Sequence, residues 1–317
     1  MIFDVFNGDA DGICALHQMR LNRPEASELV TGVKRDLALL KRTPAQPGDR
    51  VEVFDITVDK NRERLVALLE TGVQVRWFDH HNPGELPAHP GFEPHIDTAA
   101  DVCTSLIVDR HLNGAHRAWA VAAAFGDNLH VAARRAAEPL SLPEPRLAQL
   151  RELGECLNYN AYGDSVDDLH FHPAELYRRV HGYADPFAFI AEAPEFLALK
   201  AGYAEDMARA EALVALETRA SGAIYLLPDA AWARRVSGVY ANDLAQRFPE
   251  RAHALVTHSP KGHYVVSVRA PVANPVGADT LCLRFPSGGG RKAAAGINGL
   301  PTDRLDDFVS AFFEVYG

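Results

Sequence analysis

Short apolar runs alternate with amphipathic stretches through the first part of the chain. Ile2 to Phe6 reads as a strand, and Ile13 to Leu21 carries apolar residues at helical spacing. Val51 to Phe54 is a second strand, Arg62 to Glu70 a helix and Val73 to Phe78 a third strand. Strands that alternate with helices predict a parallel sheet with helices on both faces. After Thr104 the pattern turns helical. Ala118 to Phe125 is an apolar helix that ends in Gly126-Asp127-Asn128, and a proline-rich stretch from Pro139 to Pro145 interrupts the helical region after it. Helical spacing resumes over Leu147 to Leu157 and over Pro194 to Leu216, the latter a long connecting helix rich in Ala, Glu and Leu. Beyond it, Ala223 to Leu227, Ala254 to Thr257 and Tyr264 to Val268 read as strands. A helix from Gly238 to Phe248 separates the first two, and an amphipathic helix from Asp303 to Tyr316 closes the chain. The expected fold class is therefore α/β: a parallel-sheet domain over 1–195, a linker helix over 196–220 and a smaller α/β domain over 221–317.

A length of 317 residues is more than one hydrophobic core usually serves, which agrees with two domains. Hydrophobic residues at 47% and charged residues at 23% fit a soluble globular protein. No apolar run reaches the roughly 18 residues a membrane span needs. The start, Met1-Ile-Phe-Asp, lacks a basic region and enters a strand pattern at once, so no signal peptide is expected. Cys14, Cys103, Cys156 and Cys282 are scattered without a CxxC pair, which fits reduced thiols in the cytoplasm. The net charge of -10 argues against a long nucleic acid as partner, because such binding relies on a basic surface.

In open parallel sheets, ligands bind beyond the carboxyl ends of the strands. The residues found there are Asn7-Gly-Asp9-Ala-Asp11-Gly12, Asp55 and Asp79-His80-His81. Taken singly, an Asp after a strand is as readily a helix N-cap or turn former. The coincidence at all three strand ends is what argues for chemistry. Asp9, Asp11, Asp55, His80 and Asp127 together offer carboxylates and an imidazole, donors that suit manganese, magnesium or zinc. Two such ions about 3.5–4 Å apart can clamp both oxygens of a phosphoryl displacement.

These residues resemble the ordered motifs of the DHH phosphoesterase superfamily, and the likeness covers nearly the whole chain. Asn7-Gly-Asp9-Ala-Asp11-Gly12 is similar to the first motif and Phe54-Asp55 to the second. Trp77-Phe-Asp79-His80-His81 is similar to the third, and Phe125-Gly-Asp127 to the fourth. Ser287-Gly-Gly-Gly290-Arg291-Lys292-Ala-Ala-Ala-Gly296 is similar to the glycine-rich signature of the associated C-terminal domain. The resemblance implies two divalent ions, with Mn2+ expected and Mg2+ or Zn2+ as alternatives. By the same resemblance Asp9 binds one ion and Asp11 the other, Asp55 bridges them, and His80 and Asp127 complete the ligand set of the second ion. Asp79 would orient, and His81 would face the substrate phosphate. Gly288, Gly289, Gly290 and Arg291 would contact the far end of the substrate, and Arg269 matches a position where relatives use a basic residue for it.

The sequence departs from the family at three positions. Val5 stands where many small-substrate members have histidine, and Asn7 where RecJ-like members have aspartate, which weakens the expected hold on the first ion. Arg291 stands where histidine is usual, a change that keeps phosphate binding through a planar cation. Outside the motifs, His170 and His172 alternate without an acidic cluster, Asn158 to Tyr162 offers rings for stacking, and Arg134-Arg135 reads as a solvated face. The expected function is metal-dependent hydrolysis of a phosphodiester or phosphomonoester on a small nucleotide or short oligonucleotide. The alternatives are a polyphosphate or pyrophosphate hydrolase, and a nucleotide-binding sensor with weak catalysis. Expected partners are a small phosphorylated substrate, no long nucleic acid and no membrane, with a homodimer left open.

Overall fold

Apolar residues at alternate positions of the first strands end on opposite faces of one parallel sheet. The computed structural model describes all 317 residues and divides the chain into two units, Met1–Ala201 and Gly202–Gly317. In the first, β1 (Ile2–Asn7), β2 (Glu28–Gly32), β3 (Arg50–Phe54), β4 (Gln74–Asp79) and β5 (Phe92–Ile96) are ordered β2-β1-β3-β4-β5. Phe6 lies opposite Phe54, and Phe54 opposite Phe78, so three rings occupy one rung on one face. That face packs on α1 (Ala10–Asn22) and the helical region through buried Ile13, Leu16, Ile107 and Phe125. Val5, Val53 and Trp77 point the other way and pack with Leu65, Leu68 and Leu69 of α2 (Arg62–Glu70). Helices thus cover both faces, as the strand–helix alternation predicts. Because the three phenylalanines share a rung, the residues after them emerge along one carboxyl edge.

Two strands were absent from the pattern of the sequence. β2 is a five-residue edge strand without clear alternation, and β5 contains Pro94. Both lie at sheet edges, where a proline costs no central ladder bond. The helical region comprises α3 (Thr104–His111), α4 (Arg117–Gly126), α5 (His130–Ala137), α6 (Glu144–Tyr159), α7 (Pro173–His181) and α8 (Pro186–Glu192). At Gly154 of α6, an added Cβ would come within 1.9 Å of the Ala122 carbonyl oxygen, so α4 and α6 cross nearly backbone to backbone. Next comes α9 (Pro194–Glu211), which ends short of the expected Leu216.

The second unit carries β6 (Glu217–Arg219), β7 (Gly222–Leu227), α10 (Ala231–Arg247), β8 (Ala252–His258), β9 (His263–Arg269), α11 (Ala278–Cys282), β10 (Gly288–Gly290), β11 (Ala294–Pro301) and α12 (Leu305–Tyr316). Its sheet is ordered β10-β11-β9-β8-β7-β6, parallel only between β7 and β8. Phe308 and Phe312 of α12 fill its core with Val266, Ile297 and Leu300. All four cysteines are free and buried, as their spacing implies. No helix is long and apolar enough to cross a membrane.

One buried charge cluster ties α1 to the sheet beneath it. The Arg20 guanidinium donates to Asp4 on β1 through Nε at 2.9 Å and to Glu52 on β3 at 2.7 Å, and all three side chains are fully buried. Deleting the cation would strand two carboxylates in the interior, the costly way to break such a pair. Arg20→Met is therefore expected to lower the unfolding free energy by about 3–5 kcal/mol. Urea denaturation checks this as a fall in midpoint at unchanged slope.

Candidate metal centre

Each acidic residue at the sheet edge is fixed by a backbone feature that the sequence encodes locally. Asp9 is the N-cap of α1, where its Oδ1 accepts from the amides of Asp11 at 3.0 Å and Gly12 at 3.1 Å. A Cβ at position 12 would lie 2.2 Å from the Asn7 carbonyl oxygen, so the turn from β1 into α1 requires Gly12. Asp11 reaches forward to the start of α3, and its two oxygens accept from the Thr104 and Ser105 amides, both at 2.7 Å. Asp55 follows β3 in the left-handed region (φ 60), which Asp tolerates better than most residues. Its amide donates to the Phe78 carbonyl at 3.0 Å, and its Oδ1 accepts from the Thr104 hydroxyl at 3.1 Å. Asp127 caps the C-terminal end of α4. Gly126 before it lets that end sit against Ala10, since an added Cβ would lie 2.7 Å from the Ala10 methyl.

The histidines of the Asp79-His80-His81 tripeptide divide their roles. His80 Nδ1 lies 2.9 Å from the Val102 carbonyl oxygen, so Nδ1 carries the proton and the lone pair sits on Nε2. Nε2 faces Asp55 Oδ1 at 3.5 Å and Asp127 Oδ2 at 3.8 Å. Ligand atoms around a common ion with bonds of about 2.1 Å stand roughly 3–3.5 Å apart, close to this spacing. Three lone pairs that face one another repel, and a divalent cation reverses the sign. Two sets of donor atoms converge in this way, one from Asp11, His80 and Asp127 and one from Asp55, His80 and His81. His81 donates from Nδ1 to Asp79 Oδ1 at 2.7 Å and is 40% exposed, while Asp79 is fully buried. Burial opposes the charged form of His81, but the bond and charge of Asp79 together with the charges of Asp127 and Asp9 raise the imidazole pKa.

One functional residue escaped the sequence pattern. Lys34 stands just after β2, its carbonyl held by the Asn7 side-chain amide at 3.3 Å and its own amide bonded to the Ala161 carbonyl at 2.9 Å. Its ammonium pairs with Asp9 Oδ2 and lies 3.4 Å from Asp127 Oδ1 and 3.1 Å from Asn158 Oδ1. Burial opposes the charge on Lys34, yet Asp9 above all keeps it protonated. The same contact holds Asp9 below the usual carboxylate range although burial would lift it. The missing signal was β2 itself: a fourth strand end places a fourth polar residue on the rim. Asn158, read as part of an aromatic stretch, serves instead as an acceptor for this lysine.

The remaining expected positions fall elsewhere. His170 bonds the Tyr159 hydroxyl at 2.8 Å and His172 caps α7, so neither joins the cluster. Arg134 and Arg135 pair with Glu144 and Asp101 on the surface. In the second unit, Gly288, Gly289 and Gly290 form β10 and pair with β11, so the glycine-rich segment is a hairpin strand rather than an open loop. Gly288 has no space for a Cβ, which would meet the Cys282 carbonyl oxygen at 1.8 Å. Arg291 opens the exposed turn of that hairpin through its bond with Ala294 at 2.8 Å. Arg269 on β9 pairs with Ala294 of β11, and its Nε donates to Asn242 Oδ1 at 2.7 Å.

The acidic cluster has a stability cost. Burial first, then Asp9, Asp11, Asp127 and Asp79, raise the Asp55 pKa well above its usual value. Native metal-free protein therefore binds more protons at Asp55 than the unfolded chain, and the contribution of Asp55 to stability falls as pH rises above about 4. Asp55→Asn keeps the Thr104 bond and removes the charge. In chelator, thermal melts should show the variant several degrees more stable than the parent at neutral pH, with the gap closing toward pH 4.

No protein-family model matches the chain, and no curated protein matches it. Solved structures do. An exonuclease RecJ bound to manganese superposes with TM-score 0.59 at 19% identity, over 98% of this chain and 88% of that one. A pGpG-specific phosphodiesterase, PggH from Vibrio cholerae, gives 0.58 at 13% identity over 100% of both chains. RecJ from Thermus thermophilus in complex with Mn2+ gives 0.59 at 17% identity; its match covers 98% of this chain but only 51% of that protein, about half its length. With a matching architecture along its length, the chain shares the fold of these RecJ and phosphodiesterase structures, and its four ordered motifs on the sheet edge keep their resemblance to the DHH phosphoesterase superfamily.

Proposed function

We propose that the protein is a metal-dependent hydrolase of phosphoester bonds in a small nucleotide or short oligonucleotide. The observation that carries this is the convergence of His80 Nε2 with the Asp11, Asp55 and Asp127 carboxylates at one sheet edge. Residues of these two sets, Asp11, His80 and Asp127 or Asp55, His80 and His81, would hold a divalent ion, and solved structures of similar fold that contain manganese support Mn2+ as that ion. When bound, such an ion supplies a Lewis acid and lowers the pKa of coordinated water.

The chain's own groups do the rest. Thr104 and Ser105 fix Asp11, Val102 fixes the tautomer of His80, and Thr104 holds Asp55, so the donors are set before any ligand arrives. Asp79 anchors His81 by Nδ1, which leaves Nε2 directed away from that bond to donate to a phosphoryl oxygen. The N-termini of α1 and α3 point at Asp9 and Asp11, and their partial positive charge eases the crowding of carboxylates. Beside His80, a cavity of about 610 Å³ is lined by Asn82, Pro83, Leu86, Ile96 and Thr98. Its size and mixed apolar and polar wall suit a nucleoside better than a bare polyphosphate chain. The whole-length likeness to a pGpG phosphodiesterase supports the same class.

The test is a Mn2+-stimulated assay on dinucleotides, cyclic dinucleotides, 3′-phosphoadenosine 5′-phosphate, polyphosphate and a chromogenic phosphodiester. Hydrolysis of a nucleotide is expected, lost on chelation and restored by Mn2+. Asp55→Ala and His80→Ala should each lower kcat/KM about a thousandfold or more, because several kcal/mol of transition-state stabilisation depend on the ion. Turnover that survives Asp55→Ala would refute the role given to that residue.

A further inference from the structure

We propose that the Lys34 ammonium takes the place of one of the two metal ions, so that the centre holds a single divalent ion on donors drawn from Asp11, Asp55, His80, His81 and Asp127. The inference rests on the reading of this cluster as a metal centre and revises the expected number of ions.

An ammonium has three N–H donors. Around Lys34 Nζ stand three acceptors: Asp9 Oδ2, Asn158 Oδ1 at 3.1 Å and Asp127 Oδ1 at 3.4 Å. Every donor has an acceptor, so the pocket is built for this cation. Asp9 is committed on the other side as well. Its Oδ1 already accepts from two backbone amides. A carboxylate offers about four lone-pair sites, and three of these are engaged before any ion is considered. Asp9 accordingly belongs to neither set of converging donor atoms, whereas Asp11, Asp55, His80 and Asp127 all do. A second divalent ion at Asp9 would have to displace Lys34 and leave its ammonium without its main counter-charge.

Asp127 joins the two halves of the site. One of its oxygens turns toward Lys34, and the other faces His80 Nε2 at 3.8 Å. Lys34 thus stands one carboxylate away from the donor set of Asp11, His80 and Asp127. Its side chain is 24% exposed, which leaves room for a phosphoryl oxygen to share it. A fixed monocation on a short tether supplies charge to the phosphate without the need to recruit a second ion from solution.

Counting the ions separates the possibilities. Metal-free protein is titrated with Mn2+ alone, and bound ions are counted by native mass spectrometry while electron paramagnetic resonance reports whether manganese is isolated or spin-coupled. One isolated Mn2+ per chain is expected for the parent and for Lys34→Arg. Lys34→Gln, checked for folding by circular dichroism, should free Asp9 and admit a second, spin-coupled ion at saturation. Two coupled ions in the parent would overturn the proposal and leave the metal-centre reading intact, and a folded Lys34→Gln that still binds one ion would also overturn it. No bound manganese in any form would sink the metal-centre reading itself. If Lys34→Gln does not fold, the ion count in the parent and in Lys34→Arg decides the matter.

Discussion

Mutual repulsion among the buried carboxylates of Asp9, Asp11, Asp55 and Asp127 is the constraint on which the first unit is organised. Like charges held this close in a poorly hydrated place cannot all remain ionised without compensation. The structure answers with fixed positive elements, each delivered by a different segment. The α1 N-terminus holds one oxygen of Asp9, the α3 N-terminus holds both oxygens of Asp11, and Lys34 stands between Asp9 and Asp127. The uncompensated remainder centres on Asp55, whose raised pKa records the deficit. A divalent ion on Asp55 and its neighbours is the natural complement, so the instability of the metal-free cluster and the affinity for an ion have one cause.

Positioning derives from the sheet. Parallel strands in register bring Phe6, Phe54 and Phe78 to one rung, and the chain can leave that rung only at the carboxyl edge. Asp9, Asp55 and His80 therefore arrive together without any long-range instruction beyond strand pairing. Close backbone approaches then set the fine geometry. Gly12 permits the tight turn into α1, and Gly126 lets α4 deliver Asp127 against the start of α1. Larger residues at either place would push a donor away from its neighbours. Remote from the rim, the buried pairing of Arg20 with Asp4 and Glu52 locks α1 to β1 and β3, which keeps the helix that carries Asp11 in place.

Much of this was legible in the sequence because it is encoded locally. Three apolar runs each followed by acidic or histidine residues predicted the sheet, its helices on both faces and the edge where chemistry gathers. The structure brings Asp11, Asp55, His80 and Asp127 to that edge, while Asp79 holds His81 and the Val102 carbonyl stands behind His80. The second unit was legible as strands and helices, although its glycine-rich segment proved to be a paired strand with an exposed turn at Arg291. Errors gathered at element ends and edges. The α9 helix stopped at Glu211, and β2 and β5 went unseen because short edge strands, one with Pro94, carry no periodicity strong enough to register.

The sequence by itself determined which acidic and histidine residues stand at the strand ends, since strand, turn and donor are neighbours along the chain and local spacing specifies them. The tertiary structure alone decided what stands beside Asp9. Lys34 lies 25 residues away, just past an unpredicted strand, and Asn158 lies 124 residues from Lys34 on a helix. Only the pairing of β2 with β1 and the docking of α6 bring Lys34 to Asp9 and Asn158 to Lys34. Electrostatic compensation acts through space and depends on folded distance, which no local pattern of residues encodes.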